Sequence, residues 1–273
     1  MSAVNVVCDM AEAGQFRAGR HVCWLVDDPA AYIAAAGALL AEGGRLGQQP
    51  VLFGPAGSAP LHELEPAATM TADPRVAFLA GGPFDPEVMI AKFRGQSVLA
   101  RADGYTGLCV IADMDWLLPG RPATEAIVSY ELLLGRLAAE LGATVVCAYR
   151  RSSFDTTALA SALAVHPRQS GQDEEPPYRL VSGSAQTWRL AGEIDLAASP
   201  TFAAVFAAAA AGGDCVVDVA GLQYVDVAGM RVIADVARTE QAAVQLRGAS
   251  SAFRRYWQLS GFDETAPMVQ LVA

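Results

Sequence analysis

Short apolar runs alternate with helix-spaced patterns from His21 to about Leu163, and this alternation confines the first half of the chain to a parallel α/β sheet. His21-Val22-Cys23-Trp24-Leu25-Val26 reads as a buried strand. Asp27-Asp28-Pro29 then offers an N-cap and a first-turn proline. The helix that follows, Ala31 to Ala41, is predicted to stop at Gly43-Gly44. Further strands are expected at Val51–Phe53, Val76–Leu79, Tyr105–Ala112 and Thr144–Tyr149. Helices are expected at Leu61–Ala68, Pro86–Ala100, Thr124–Leu141 and Thr156–Leu163. Sheets of this kind carry their clefts at the carboxyl ends of the strands.

The same residues exclude several functions. No Gly-x-x-x-x-Gly-Lys-Ser/Thr occurs, and no Gly-x-Gly-x-x-Gly follows the first strand, so neither a P-loop nor a dinucleotide fingerprint is present. The net charge is −10 and acids outnumber bases in both halves, which disfavours nucleic acid and anionic membranes as partners. No run of 18 apolar residues is free of charge or breakers, and Met1 to Gly14 has no basic region before its acids. A cytoplasmic protein with no membrane span is the expectation. The five cysteines are scattered, which favours free thiols over a disulfide framework. Arginine far exceeds lysine and alanine is abundant, pointing to a bacterial, GC-rich source.

Arg168 to Pro177 is polar and rich in breakers, and it reads as a linker between two domains. The segmentation is a lead-in at 1–19, a first domain at 20–167, the linker at 168–177, and a second domain at 178–273. In the second domain Tyr178–Ser182 and Thr187–Leu190 read as paired strands around Gly183-Ser184. Ala198–Ala211 is an alanine-rich helix, Val244–Leu246 a strand and Ala252–Leu259 a helix. Between them lies Cys215 to Val219, a strand ended by Ala220-Gly221. A short run, Leu222 to Val225, then leads over Asp226 into a helix with Met230, Val232, Ile233 and Val236 at helical spacing. A strand handing over a tight acidic loop to a helix N-terminus exposes polar groups and free N–H donors.

That loop, Asp226-Val227-Ala228-Gly229-Met230, resembles the central motif of the STAS family of anti-sigma-factor antagonists, usually Asp-Ser-Ser/Ala/Thr-Gly-Leu. Leu190-Ala191-Gly192-Glu193-Ile194-Asp195 is similar to the Gly-Glu-Leu-Asp segment of the same family. The resemblance implies a partner surface at Tyr224, Asp226, Val227, Ala228, Gly229 and Met230, docking an anti-sigma factor or another kinase-fold regulatory protein. In the family the Ser after the Asp is phosphorylated; Val227 stands there and has no hydroxyl. The implied surface therefore lacks its chemical switch.

Residues 20–167 resemble the MEDS sensory domain. Its His-x-Cys appears as His21-Val22-Cys23, and its Gly-Glu-Met-x-Trp as Ala112-Asp113-Met114-Asp115-Trp116. Its Tyr-Glu is met by Tyr130-Glu131, its Cys-x-Tyr…Phe by Cys147-Ala148-Tyr149 and Phe154, and its closing His-Pro by His166-Pro167. Two departures are the shorter acid at Asp113 and the lack of a tyrosine in Gly82-Pro83-Phe84-Asp85. The resemblance implies a RecA-like, mainly parallel sheet and a pocket for a small organic ligand. Its candidate lining is His21, Cys23, Asp113, Trp116, Tyr130, Glu131, Cys147, Tyr149 and His166.

His21, Cys23, Cys147 and His166 are all metal-ligand types, yet only His21-x-Cys23 is local and no zinc-finger spacing exists. Buried cysteine behaves as a small hydrophobe, so structural or pocket-lining roles are expected, with no metal and no cofactor. An enzyme would use Cys23 with His21 or His166 as base, or Asp113 with Asp115 as an acid pair. The expectation is instead a non-enzymatic signalling regulator in transcription: a sensory domain controlling a STAS surface. The alternatives are an enzyme or metal- or ligand-binding protein at His21/Cys23/Asp113 with the STAS domain as adaptor, and a purely structural scaffold.

Overall fold

The computed structural model describes residues 19–183 and 187–272. The lead-in up to residue 18 and the expected turn at Ser184 lie outside the described residues. The chain forms two compact units, one around a six-stranded sheet and one around a five-stranded sheet.

In the first unit β1 (Arg20–Val26), α1 (Pro29–Arg45), β2 (Gln48–Phe53), α2 (Ala59–Leu64), β3 (Met70–Ala72) and α3 (Pro74–Ala77) come first. They are followed by α4 (Pro86–Ala102), β4 (Gly107–Asp113), α5 (Thr124–Leu141), β5 (Thr144–Arg150), α6 (Thr156–Val165) and β6 (Arg168–Ser170), although residues 127–132 of α5 and 160–165 of α6 belong to the second unit. All pairings are parallel, in the order β3-β2-β4-β5-β1-β6. Every residue of β4 is buried, and all of β1 and β5 except Arg20 and Arg150, respectively, as expected of strands covered on both faces. Val22, Trp24 and Val26 point to one face, where Tyr32, Ala36, Leu39 and Leu40 of α1 pack. His21 and Cys23 alternate with them and point to the other face.

Three expectations need correction here. The third strand is Met70–Ala72, whereas Val76–Leu79 begins inside the short helix α3. Asp73 accepts the Arg75 N–H at 2.9 Å and Pro74 fixes the first turn, so the cap overrides the apolar run. Gly43-Gly44 does not stop α1, which runs to Arg45. A side chain at Gly43 would overlap Cys109 of β4, so this glycine serves a close helix–strand approach. Finally, Arg168–Ser170, expected as linker, pairs with Val22–Trp24 as an edge strand. Gly171 then turns at φ +82°, where a Cβ would collide with the Leu25 carbonyl.

The second unit contains β7 (Tyr178–Ser182), β8 (Trp188–Ile194), α7 (Ser199–Ala210), β9 (Cys215–Val225) and α8 (Val227–Thr239). It closes with β10 (Val244–Arg247), α9 (Ser251–Leu259), α10 (Phe262–Thr265) and β11 (Val269–Val272). The strand order is β11-β10-β9-β8-β7, parallel except for the β7–β8 hairpin. Phe202, Phe206, Val217, Ile233 and Trp257 are among its buried core. The expected break at Ala220-Gly221 does not occur: β9 continues to Val225, with register shifts against β8. Gly221 faces Ala191 so closely that a Cβ would come within 2.7 Å of its methyl. The glycine narrows the strand pair without ending it. Strand β11 has no counterpart in the sequence reading.

Candidate functional site

Chemistry-bearing side chains gather at three places. The first is the carboxyl end of the parallel sheet. β4 ends at Asp113, whose Oδ1 accepts the Asp115 N–H at 3.1 Å and opens a 3₁₀ segment, Met114–Gly120. β5 ends at Arg150, with Nη2 at 3.4 Å from Asp113 Oδ2 and Nε at 3.0 Å from Asp115 Oδ2. Ser153 Oγ donates to the same Asp115 oxygen at 3.1 Å. Tyr32, in the first turn of α1, completes the group; its ring lies 5.2 Å from that of Trp24. Val26, Tyr32, Asp113, Ala148 and Arg150 line a cavity of about 10 Å³.

The electrostatics of this end are unusual for a carboxylate beside an arginine. Burial raises the Asp113 pKa to about 6, and the Asp115 charge adds to the rise; the Asp115 N–H and Arg150 oppose it. Burial, with Asp113 second, likewise holds the Tyr32 phenol well above its ordinary range. Of the sequence-predicted candidates, Asp113 is part of this cluster, as is Asp115, considered with it as an acid pair. Tyr32, Arg150 and Ser153 were not foreseen. The available signal was a basic residue closing an otherwise apolar strand, Val145 to Tyr149.

The second place is the opposite face of β1 and β5. His21 Nε2 lies 3.4 Å from Cys147 Sγ, both fully buried. Desolvation lowers the His21 pKa to about 3, so its imidazole is neutral. Cys23 and Cys147 are register partners, and neither is in a disulfide. A separate pair lies within the second unit, where Glu131 Oε2 is 3.4 Å from His166 Nε2 and His166 Nδ1 is 2.7 Å from the Ala162 carbonyl. A carbonyl only accepts, so Nδ1 carries the proton and fixes the ring. Glu131 and His166 are both buried. Tyr149 is buried and meets Phe154 edge-on at 5.0 Å, which accounts for the pairing of those two positions. Trp116 packs on Phe84 at 5.8 Å, and Tyr130 is buried on α5.

The third place is the loop between β9 and α8. Asp226 is the N-cap: its Oδ1 accepts the Gly229 N–H at 2.9 Å, and its own N–H donates to Ile194 O at 3.0 Å. The cap holds the first turn so that Val227 faces solvent, 47% exposed, beside an exposed Tyr224. Ala228 is half-buried, while Gly229 and Met230 are buried. A Cβ on Gly229 would come within 2.8 Å of both Ile194 and Val225. Those two residues therefore set the loop's shape from below, and Tyr224, Val227 and Ala228 form its accessible part. Ser199, Val227, Ala228, Arg231, Val232 and Asp235 line an open groove along this end of α8. Asp195 arranges the neighbouring turn, accepting the Ala198 N–H at 2.9 Å.

Two family models match this chain. The MEthanogen/methylotroph, DcmR Sensory domain (MEDS) matches residues 20–167, more than half of the chain, and the Mlab, STAS domain matches residues 181–272. No curated protein matches it. Among the described residues no helix is long and apolar enough to cross a membrane.

Proposed function

We propose, for a chain that belongs to the MEDS family of sensory domains and carries a STAS domain behind it, that the STAS loop docks a regulatory protein under control of the sensory unit. The partner is an anti-sigma factor or a related kinase-fold protein, and the outcome is altered transcription in the bacterial cytoplasm. The role is binding, with no catalysis. The observation that carries this reading is the loop at Asp226. Its carboxylate is committed to the Gly229 amide, and the exposed position beside it is Val227. A capped turn of this kind offers its exposed first position to a partner, and a valine there has no hydroxyl to accept phosphate. Control by phosphorylation at that position is thereby removed, and a ligand-dependent shift of population in the sensory unit takes its place.

The test is capture from native lysate with the full chain and with its Val227→Glu variant, followed by identification of the retained protein. Retention of an anti-sigma kinase by the wild type, and its loss with the added charge, supports the reading. Equal retention by both baits, or retention of no protein of that class, refutes it. Partner affinity that ignores every ligand bound by the sensory unit refutes the regulatory half alone.

A further inference from the structure

Buried polar groups are almost always hydrogen-bonded, so a cluster of buried groups with open bonding capacity identifies a place where something else belongs. The carboxyl end of the parallel sheet holds three such atoms on neighbouring residues: Tyr32 Oη, Asp115 Oδ1 and Arg150 Nε. Arg150 Nε is close to Asp115 Oδ2 as a charge, yet it is not aimed to donate to it. Tyr32 is 2% exposed and lines the small cavity together with Asp113 and Arg150. The cavity's volume, about 10 Å³, is that of one water-sized group.

We infer that this cavity binds the head of a small cationic hydrogen-bond donor, an ammonium or primary-amine group, between Tyr32 and Asp113. Charge sets the class. Two carboxylates, Asp113 and Asp115, face one guanidinium, Arg150, which leaves the cluster one negative charge in excess when all are ionised. Donor count agrees. The Tyr32 oxygen and the second oxygen of Asp115 both accept, and the 3.4 Å contact from Arg150 leaves Asp113 Oδ2 weakly engaged. An ammonium head offers donors to such acceptors, whereas an anion or a carbonyl would meet carboxylates. Size agrees too, since an ammonium nitrogen with its hydrogens occupies the space of a water. Arg150, with 22% of its side chain exposed, is the lining group through which a substituent on the amine would reach solvent. The inference rests on reading this unit as a sensor and gives that sensor a ligand class.

The experiment is thermal-shift and calorimetric titration of the full chain with ammonium and methylammonium chloride at constant ionic strength. Methanol, sodium formate and sodium chloride serve as neutral, anionic and salt controls. The expected result is a saturable rise in melting temperature with the two cations alone. Asp113→Asn should weaken binding at least tenfold, by loss of a charged acceptor. Tyr32→Phe should weaken it about fivefold, by loss of one hydrogen bond, without lowering the melting temperature of the free protein. An equal shift with methanol or formate overturns the cationic class. No shift with any probe, or a crystal structure from methylammonium showing a single water in the cavity, overturns the site. None of these outcomes involves the partner, so failure here leaves the docking surface standing, and failure of the capture experiment leaves this site standing.

Discussion

Asp113 and His21 lie in the same sheet and respond to acid in opposite directions. In the native state Asp113 ionises near pH 6 instead of its ordinary 3.8, because burial and Asp115 outweigh Arg150 and the Asp115 amide. Between these two values the native protein holds a proton that the unfolded chain has released. Stability from this group is therefore present at low pH and declines as pH rises toward about 6. His21 does the reverse. Its pKa falls from 6.5 to about 3 through burial, so the unfolded chain gains a proton on acidification that the native protein refuses. Each uncompensated proton is worth about 1.4 kcal/mol per pH unit. Between about pH 4 and 6 the two slopes cancel in the wild type. Asp113→Asn removes one of them, so on acidification from pH 6 to 4 the variant should lose roughly 2 kcal/mol more than the wild type, the slope being only partial at each end of that window. Carboxylates remote from position 113 contribute equally to both proteins and drop out. The neighbours Asp115, Arg150 and Tyr32 surround position 113. The assay is denaturant-dependent hydrogen exchange of the buried β5 amides, Val145 to Ala148, which reports on the first unit without averaging over the second. Parallel wild-type and variant curves from pH 4 to 6 would refute the reasoning, because Asp113 would then titrate alike in both states.

Loss of the cap in Asp226→Ala should destabilise the second unit by about 1 kcal/mol, and Asp226→Asn by only a few tenths; exchange of the Gly229 amide reads both. Gly229→Ala should cost about 1–3 kcal/mol by crowding Ile194 and Val225, seen as a lower denaturation midpoint with an unchanged slope. Val227→Ser, at an exposed first-turn position, should stay within about 0.5 kcal/mol of wild type while supplying a hydroxyl that a captured kinase can phosphorylate. Incorporation of labelled phosphate that disappears on reverting to valine is the readout.

The parts of this fold that sequence reveals are those where one local rule acts alone. β1, β4 and β5 are continuous apolar runs because both faces are covered, and nothing local competes with that reading. Misreadings arise where a glycine has two meanings. Gly43 and Gly221 look like punctuation, but each marks a place where a neighbour, Cys109 or Ala191, leaves no room for a side chain. That neighbour is remote in sequence, so the distinction exists only after folding. The same reasoning separates the two candidate surfaces. Asp226 announces itself, because a cap and the helix it starts are adjacent in the chain. Tyr32, Asp113 and Arg150 come from three elements up to 118 residues apart, brought together only by the order β4-β5-β1 in the sheet. One of the three, Asp113, was nameable because a motif surrounded it. Tyr32 sits at helical spacing among alanines and reads as core. Its ring is core, against Trp24, and its hydroxyl is not: that last atom, buried beside two carboxylates and an arginine, turns a packing residue into a ligand contact.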